Sequence, residues 1–213
     1  MPDAELSSPD SPVAQEVATP ARKRPKPGER RVQILQALAT MLEQPGAERI
    51  TTAALAARLD VSEAALYRHF ASKAQMFEGL IEFIEQSVFT LVNQIGERET
   101  AGSPQAAKTV AMLLQFAEKN PGMTRVMVGD ALVFENERLQ QRMNQFFDKI
   151  ESTLKQSLRS AVDGNGSATP SLDAQVRASM LTALAVGRLQ RFARSGFKRA
   201  PSEHLEASLA RML

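Results

Sequence analysis

The sequence contains no cysteine, and its 213 residues include only two histidines, His69 and His204. The absence of cysteine excludes a disulfide framework, a zinc site built on thiolates and a thiol nucleophile. Neither histidine has a second ligand-type side chain at the spacing that a helix uses to bind a metal. Because no nucleophile–base pair is evident either, we expect no enzymatic activity, no catalytic residues, no metal and no cofactor.

Long apolar runs are missing too. The longest, over residues 53–57 and 110–114, are five residues each, whereas a membrane-spanning helix needs about 20. The first residues contain no apolar signal core after a positive start. We therefore expect a cytoplasmic protein without a membrane partner.

Neither sign of charge dominates, because the sequence contains 26 Lys and Arg and 24 Asp and Glu, which gives a net charge of +2. The charges are nevertheless segregated. Residues 1–21 carry four acids and no base, and residues 22–31 carry six bases and one acid. A near-neutral body with a short basic arm indicates a local contact with a polyanion. Since six of the eleven prolines lie in the first 27 residues, we predict that residues 1–28 form a disordered tail.

Beyond that tail, apolar residues recur at helical spacing and no segment alternates with the period of a strand. The predicted fold class is all-α, with a three-helix head over residues 29–73 and a larger helical body over residues 74–213. The spacing predicts a first helix that ends before Pro45-Gly46. It predicts later helices over 52–59, 62–70, 73–95, 104–119, 123–134, 136–161, 172–197 and 202–213.

The strongest motif spans residues 50–70, where two short helices are joined by a tight turn at Asp60-Val61. Ala56 is small where the helices must approach closely. An apolar set fixes their crossing angle: Leu55, Leu59, Val61, Leu66 and Phe70. This pattern is typical of a helix-turn-helix, whose second helix enters the DNA major groove.

The motif gives a set of candidate DNA-binding residues. The groove-facing side of the second helix carries Ser62, Glu63, Ala64, Ala65, Tyr67, Arg68 and His69. Small side chains let the backbone approach base edges, and arginine can read guanine. Thr51, Thr52 and Lys73 lie at helix starts, where phosphate oxygens bind. Arg30 and Arg31 belong to the basic arm, which favours non-specific attraction to phosphates.

Some of these residues have equally simple alternatives. The hydroxyl of Tyr67 can contact a phosphate, or the ring can simply pack. His69 can touch a phosphate or solvent rather than read a base. The basic arm can be a solubilising tail.

The helix-turn-helix head, followed by a long helix and a helical body, resembles the TetR family of bacterial regulators over roughly residues 30–201. Much of that family shares the Val61–Phe70 block. Further blocks are similar to the nucleoid-occlusion members of the family: Arg49–Thr52, Leu80–Glu85, Asn120–Gly122, Ala131–Glu135 and Arg138–Arg142.

The resemblance implies a homodimer that binds palindromic double-stranded DNA in a sequence-specific way. For nucleoid-occlusion members it also implies that the DNA-bound dimer binds the tubulin-like division protein FtsZ and hinders Z-ring assembly over the chromosome. We therefore expect a nucleoid-associated location. The alternative is a ligand-released transcriptional repressor, because TetR-like bodies commonly hold a small-molecule pocket.

The helical wheel offers a candidate partner groove between the fourth and fifth helices. Phe83 lies about 100° from the inward-facing Ile84, and the facing edge carries Met112, Phe116 and Lys119, followed by Asn120. An apolar groove with a basic rim suits a short peptide of mixed apolar and acidic character. Ordinary packing is the alternative for Phe83. The family pattern has an arginine where Lys119 stands, so the charge is kept while bidentate geometry is lost.

The apolar arc of the helix over 172–197 is wider than one core contact requires, which indicates a dimer. We expect this helix and the one over 136–161 to form a four-helix bundle across a twofold axis. A monomeric core is the alternative. The predicted interface residues are Phe147, Leu154, Leu181, Ala185, Leu189 and Phe192.

Overall fold

The computed structural model describes residues 28–44, 49–162 and 168–213. The predicted tail therefore lies outside the described residues except for Gly28, as do four bases of the arm: Arg22, Lys23, Arg24 and Lys26. The division into a tail, a head and a body stays a prediction.

Within the described residues the chain forms helices and no strand, which confirms the all-α prediction. A 3-10 turn covers Asp130–Leu132. The α-helices are α1 Glu29–Leu42, α2 Thr52–Arg58, α3 Glu63–Tyr67, α4 Lys73–Arg98, α5 Gly102–Lys119, α6 Pro121–Met127, α7 Glu137–Val162, α8 Pro170–Arg194 and α9 Leu205–Leu209. None of these helices combines the length and the hydropathy that crossing a bilayer requires.

Several boundaries differ from the sequence-based expectation: the helices predicted over 172–197 and 202–213 span Pro170–Arg194 and Leu205–Leu209, the helix predicted to start at 104 starts at Gly102, and the helix predicted over 123–134 is α6 followed by the 3-10 turn. Helix α3 ends at Tyr67 rather than Phe70, because the Leu66 carbonyl accepts from the amides of both His69 and Phe70 in a closing turn. Helix α4 continues through Gly96 to Arg98. The sequence predicts a break over residues 120–122, but only Asn120 separates the two helices, because α5 ends at Lys119 and α6 begins at Pro121. Proline is well tolerated there because the first helical amide has no intrahelical partner.

Side-chain caps start helices α2, α3 and α4. Thr51 Oγ1 accepts from the Ala54 amide, and Ser62 Oγ accepts from the Ala65 amide. Ser72 Oγ accepts from the amide of Gln75, whose own Oε1 accepts from the amide of Ala71. This arrangement is the predicted capping box, with the glutamine reaching one residue before the cap. Each cap satisfies a backbone donor that the helix leaves unpaired.

The long helix α4 connects the head to the body and buries one continuous stripe. The stripe consists of Met76, Phe77, Leu80, Ile81, Ile84, Val88 and Val92. Helix α7 packs along α8, and α5 packs against both α4 and α7. The head and body therefore share one hydrophobic core rather than forming separate ones.

A second contact between head and body is made by α6, which lies against α1. A Cβ atom on Gly122 would lie 1.9 Å from the Ala39 carbonyl oxygen. No side chain fits in that space, so the glycine is required by the close approach of the two backbones. The head is thus joined to the body both through α4 and through the packing of α1 on α6.

Candidate nucleic-acid interface

Helix α3 presents small and polar side chains to solvent while its apolar side chains are buried. Leu66 and Phe70 are at most 1% exposed, whereas Tyr67 is 45% exposed. Ala65 and His69 are half-buried. Four further predicted contact residues are exposed: Ser62, Glu63, Ala64 and Arg68. This face has the composition and the freedom that a major-groove contact needs.

Thr51 and Thr52 have different roles at the start of α2. The Thr51 hydroxyl oxygen caps the helix, which leaves its O–H group as a donor. The Thr52 hydroxyl donates to a carboxylate oxygen of Glu63 at 2.5 Å. Thr52 therefore orients Glu63 at the first position of α3, a contact that sequence spacing did not indicate.

Arg31 closes the far end of α3. Its guanidinium lies 4.2 Å from the centre of the Phe70 ring and donates to the His69 carbonyl at 2.5 Å. A cation that satisfies a carbonyl at the end of a helix is favourable. The DNA contacts of Arg30 and Arg31 stay predictions. Within the head, the Arg31 guanidinium already contacts the Phe70 ring and the His69 carbonyl.

Lys73, at the first position of α4, forms an ion pair with Glu135, 62 residues away (Nζ–Oε1 2.5 Å). The Glu135 side chain is only 9% exposed and that of Lys73 is 30% exposed. Beside them, the guanidinium of Arg49 lies 4.6 Å from the centre of the Phe134 ring. The Ala131–Glu135 block thus contacts the head at two places, which the sequence did not predict.

Two more ion pairs join α4 to α7. Arg142 donates to both carboxylate oxygens of Glu85, at 3.2 and 2.6 Å. The Glu85 carboxylate raises the pKa of the Arg142 guanidinium above its ordinary value, so Arg142 stays charged. Arg138 pairs with Glu78 at 2.6 Å, in a more exposed position.

The two parts of the chain also match known sequence families. Residues 34–80 match the family described as "Bacterial regulatory proteins, tetR family". Residues 105–212 match the SlmA-like family described as "Tetracyclin repressor-like, C-terminal domain". The nucleoid occlusion factor SlmA of Aliivibrio fischeri strain MJ11 is 53% identical over 181 residues, which cover 84% of this chain and 92% of that protein. SlmA of Shewanella pealeana is 54% identical over 177 residues, which cover 82% of this chain and 88% of that protein.

The chain belongs to the SlmA family. This confirms the resemblance that the Val61–Phe70 block and the later sequence blocks indicate. It also places the chain among the TetR-type regulators, which are DNA-binding proteins and not enzymes. Among the described residues, no three histidine or acidic side chains form a group that could hold a metal ion.

Solved structures share the fold of the SlmA-family chain at low sequence identity. The fatty acid degradation regulator FadR from Bacillus halodurans superposes with a TM-score of 0.71 at 13% identity, covering 87% of this chain and 95% of that one. A TetR regulator from Haloarcula marismortui gives a TM-score of 0.70 at 16% identity, covering 86% and 96%. These likenesses show the TetR-type fold.

The predicted partner groove has one strongly exposed aromatic ring. Phe83 on α4 is 48% exposed, and Lys119 at the end of α5 is also exposed. Met112 and Phe116 are half-buried against the core. The Asn120 side-chain amide donates to the Phe116 carbonyl at 2.7 Å, so Asn120 holds the end of α5. The assignment of these five residues to a partner stays a prediction.

Most of the predicted dimer residues, on α7 and α8, lie on faces that are buried within the single subunit. Five of the six are at most 4% exposed within the single subunit: Leu154, Leu181, Ala185, Leu189 and Phe192. They pack into the subunit's own core and cannot reach a second copy unless that core opens. Phe147 is half-buried against the core, so its role stays a prediction.

The free apolar face of α8 is the neighbouring stripe, where Leu172 is 60%, Val176 48% and Met180 50% exposed. These residues recur every four positions, so they share one side of the helix. The wide apolar arc thus divides into one side for the core and one side that is open to solvent.

Proposed function

We propose that this chain is a sequence-specific DNA-binding homodimer that acts as a nucleoid-occlusion factor, binding FtsZ and blocking Z-ring assembly over the chromosome. The observation that carries the proposal is the similarity to SlmA proteins at more than half identity, over a length that includes both the head and the body. The exposed polar face of α3 supports the DNA-binding part.

The exposure of the polar face of α3 supports the DNA-binding part of the proposal. In the proposed complex the exposed face of α3, which includes Ala64 and Arg68, meets base edges in the major groove. Thr51, Tyr67 and Lys73 contact phosphates, which hold the head in position but carry no sequence information. Thr52 contributes by orienting Glu63.

Dimerisation is supported by the open stripe of Leu172, Val176 and Met180. An exposed apolar stripe this long on a soluble helix is typical of an interaction surface. A twofold axis through α7 and α8 would bring the two heads to half-sites about one DNA turn apart, which is 34–36 Å in B-DNA (approximately 10 base pairs).

FtsZ binding is the finer part of the proposal. Phe83 is a large exposed ring, the half-buried Met112 and Phe116 add apolar surface, and Lys119 adds a positive charge at the edge. A short peptide with apolar and acidic residues, such as a mobile protein tail, matches that chemistry.

Light scattering of GTP-driven FtsZ polymers tests this function against a ligand-released repressor. We expect the wild-type protein with a palindromic duplex to lower the polymer signal. Phe83→Ala and Lys119→Glu are expected to weaken that effect about tenfold or more while leaving DNA affinity unchanged.

Arg211→Glu is a matched control, because it reverses the same charge at an exposed position whose hydrogen bond is local, to the Ala207 carbonyl. It should leave both activities unchanged. An unaltered polymer signal with wild-type protein at every DNA dose would remove the FtsZ role. Unaltered FtsZ affinity in both groove variants would show that the groove is misplaced.

A further inference from the structure

The segment over residues 133–136, here called the connecting segment, joins the 3-10 turn to α7 and contacts the head at two places. Phe134 lies under the guanidinium of Arg49, which precedes α2. Glu135 pairs with Lys73, which starts α4. The segment therefore contacts the polypeptide on both sides of the α2–α3 unit.

The Glu135 carboxylate depends on Lys73. With a side chain only 9% exposed, the carboxylate has lost most of its hydration, and Lys73 supplies the compensating charge. Moving the head away from the connecting segment would break an ion pair that is better shielded from water than the other ion pairs of the described residues, and shielded pairs contribute more than exposed ones. The pair is therefore a geometric restraint as well as an attraction.

The Lys73 ammonium group is not fully used by this pair. An ammonium group has three donors, the Glu135 carboxylate takes one, and the side chain is still 30% exposed. Lys73 can thus bind Glu135 and face a DNA phosphate at the same time. Glu135 then fixes the place from which Lys73 reaches the DNA.

The restraint acts at the end of α4 that carries the head. Helix α4 has 26 residues, which corresponds to about 39 Å, so a small tilt at its first turn moves α3 relative to the body. In a dimer joined through the bodies, the same tilt changes the distance between the two copies of α3.

We propose that Glu135, assisted by Phe134, is a positioning residue that sets the half-site spacing this protein accepts. The inference rests on the proposed DNA-binding dimer. It assigns a role to the Ala131–Glu135 block, whose residues lie outside the helix-turn-helix.

The test compares Glu135→Gln with wild type on palindromic duplexes. The wild-type protein first selects a palindrome from random DNA, and duplexes are then made with half-sites one or two base pairs closer or farther apart. We expect Glu135→Gln to bind the selected spacing about tenfold more weakly, as is typical when one interaction of about 1.4 kcal/mol is removed. Affinity for the altered spacings should fall less, so the difference in affinity between the selected spacing and the altered ones becomes smaller. The salt dependence should not change, because every phosphate contact is retained.

Glu78→Gln is the matched control. It breaks the ion pair with Arg138, which joins α4 to α7, is more exposed than the Lys73–Glu135 pair and lies farther along α4 from the head. Exposed ion pairs contribute little to stability, so the Glu78→Gln variant should have the same preference for half-site spacing as wild type. Phe134→Leu is a second variant at an exposed position, and it should flatten the preference in the same direction even if Glu135→Gln folds poorly.

Three results would overturn the proposal. Tighter binding of Glu135→Gln at every spacing, with a steeper salt dependence, would mean that Glu135 competes with phosphate for Lys73. An equal loss at every spacing, together with a lower melting temperature, would mean a structural role only. An unchanged spacing preference in both variants would mean that the segment does not position the head. If wild-type protein selects no palindrome, the proposed function itself fails, which is a separate result.

Discussion

At the scale of single residues, some side chains of the head already have partners within the protein, whereas others are exposed to solvent. Arg31 donates to the His69 carbonyl at the end of α3, and the Thr52 hydroxyl donates to Glu63. Tyr67, Ala64 and Arg68 are exposed to solvent. Exposed residues of this kind are the better candidates for DNA contacts, because DNA does not have to displace an existing interaction.

Ala64 provides the sharpest test of this face. Ala64→Phe adds a large ring where the backbone of α3 must approach the bases, so we expect the affinity for the selected palindrome to fall by about two orders of magnitude. Affinity for unrelated DNA should change little, since that binding depends on phosphate contacts. Fluorescence anisotropy with both kinds of duplex measures the difference.

Tyr67→Phe is the companion variant for the Ala64 experiment. It removes only the hydroxyl group of an exposed ring, so a phosphate contact would weaken binding to all sequences alike. If Ala64→Phe retains full site preference, the groove-facing side of α3 has been assigned incorrectly.

At the scale of elements, each long helix divides its surface between its own core and a further contact. Helix α8 buries Leu181, Ala185 and Leu189 while it exposes Leu172, Val176 and Met180. Helix α4 buries Ile84 and exposes Phe83, its neighbour in sequence. A single helix can therefore hold the subunit together and present an apolar surface to a partner.

The open stripe of α8 predicts where dimerisation can be broken. Met180→Asp puts a charge at one end of the exposed trio, and burying an unpaired charge in an interface is costly. We expect the variant to sediment as a folded monomer at concentrations where wild type is a dimer, and to lose about a hundredfold or more in affinity for the palindrome because the two heads are uncoupled.

Val133→Asp is the control for the sedimentation experiment. It makes a comparable apolar-to-acid change at a position that is 69% exposed and lies outside α7 and α8. It should remain dimeric. A Met180→Asp protein that stays dimeric would show that the exposed stripe is not the interface.

At the scale of the whole molecule, electrostatic attraction acts over a longer distance than the direct contacts that the fold can make. The whole chain has a net charge of only +2, which gives it little overall attraction for DNA. The cluster of bases between residues 22 and 31 is therefore the main concentrated positive charge that the sequence supplies next to the head. In the proposed function, long-range attraction is therefore assigned to the arm and base recognition to α3.

Neutralising the arm separates these two contributions. Replacing Arg22, Lys23, Arg24 and Lys26 with glutamine should lower affinity for all duplexes. It should also make the plot of log affinity against log salt shallower, by up to about 0.9 for each phosphate that the arm no longer neutralises. Preference for the palindrome over unrelated DNA should be preserved. An unchanged slope would indicate that the arm only keeps the protein soluble.

Local sequence features predicted much of the head. Ser62 and Ser72 are caps that act within one helical turn, and the spacing of Leu55, Leu66 and Phe70 reports directly which side chains are buried. Such interactions depend on residues three or four positions apart, so the sequence contains all the information they need.

The helical character of the chain, the position of the helix-turn-helix and the family could all be inferred from the residues alone. Two other features emerged only from the packing of the helices: which half of the apolar arc of α8 is buried, and the meeting of Lys73 with Glu135 across 62 residues. Periodicity records that a helix has an apolar side, but it does not record what packs against that side. Partners distant in sequence are brought together by the packing of whole helices, and no local pattern specifies that arrangement.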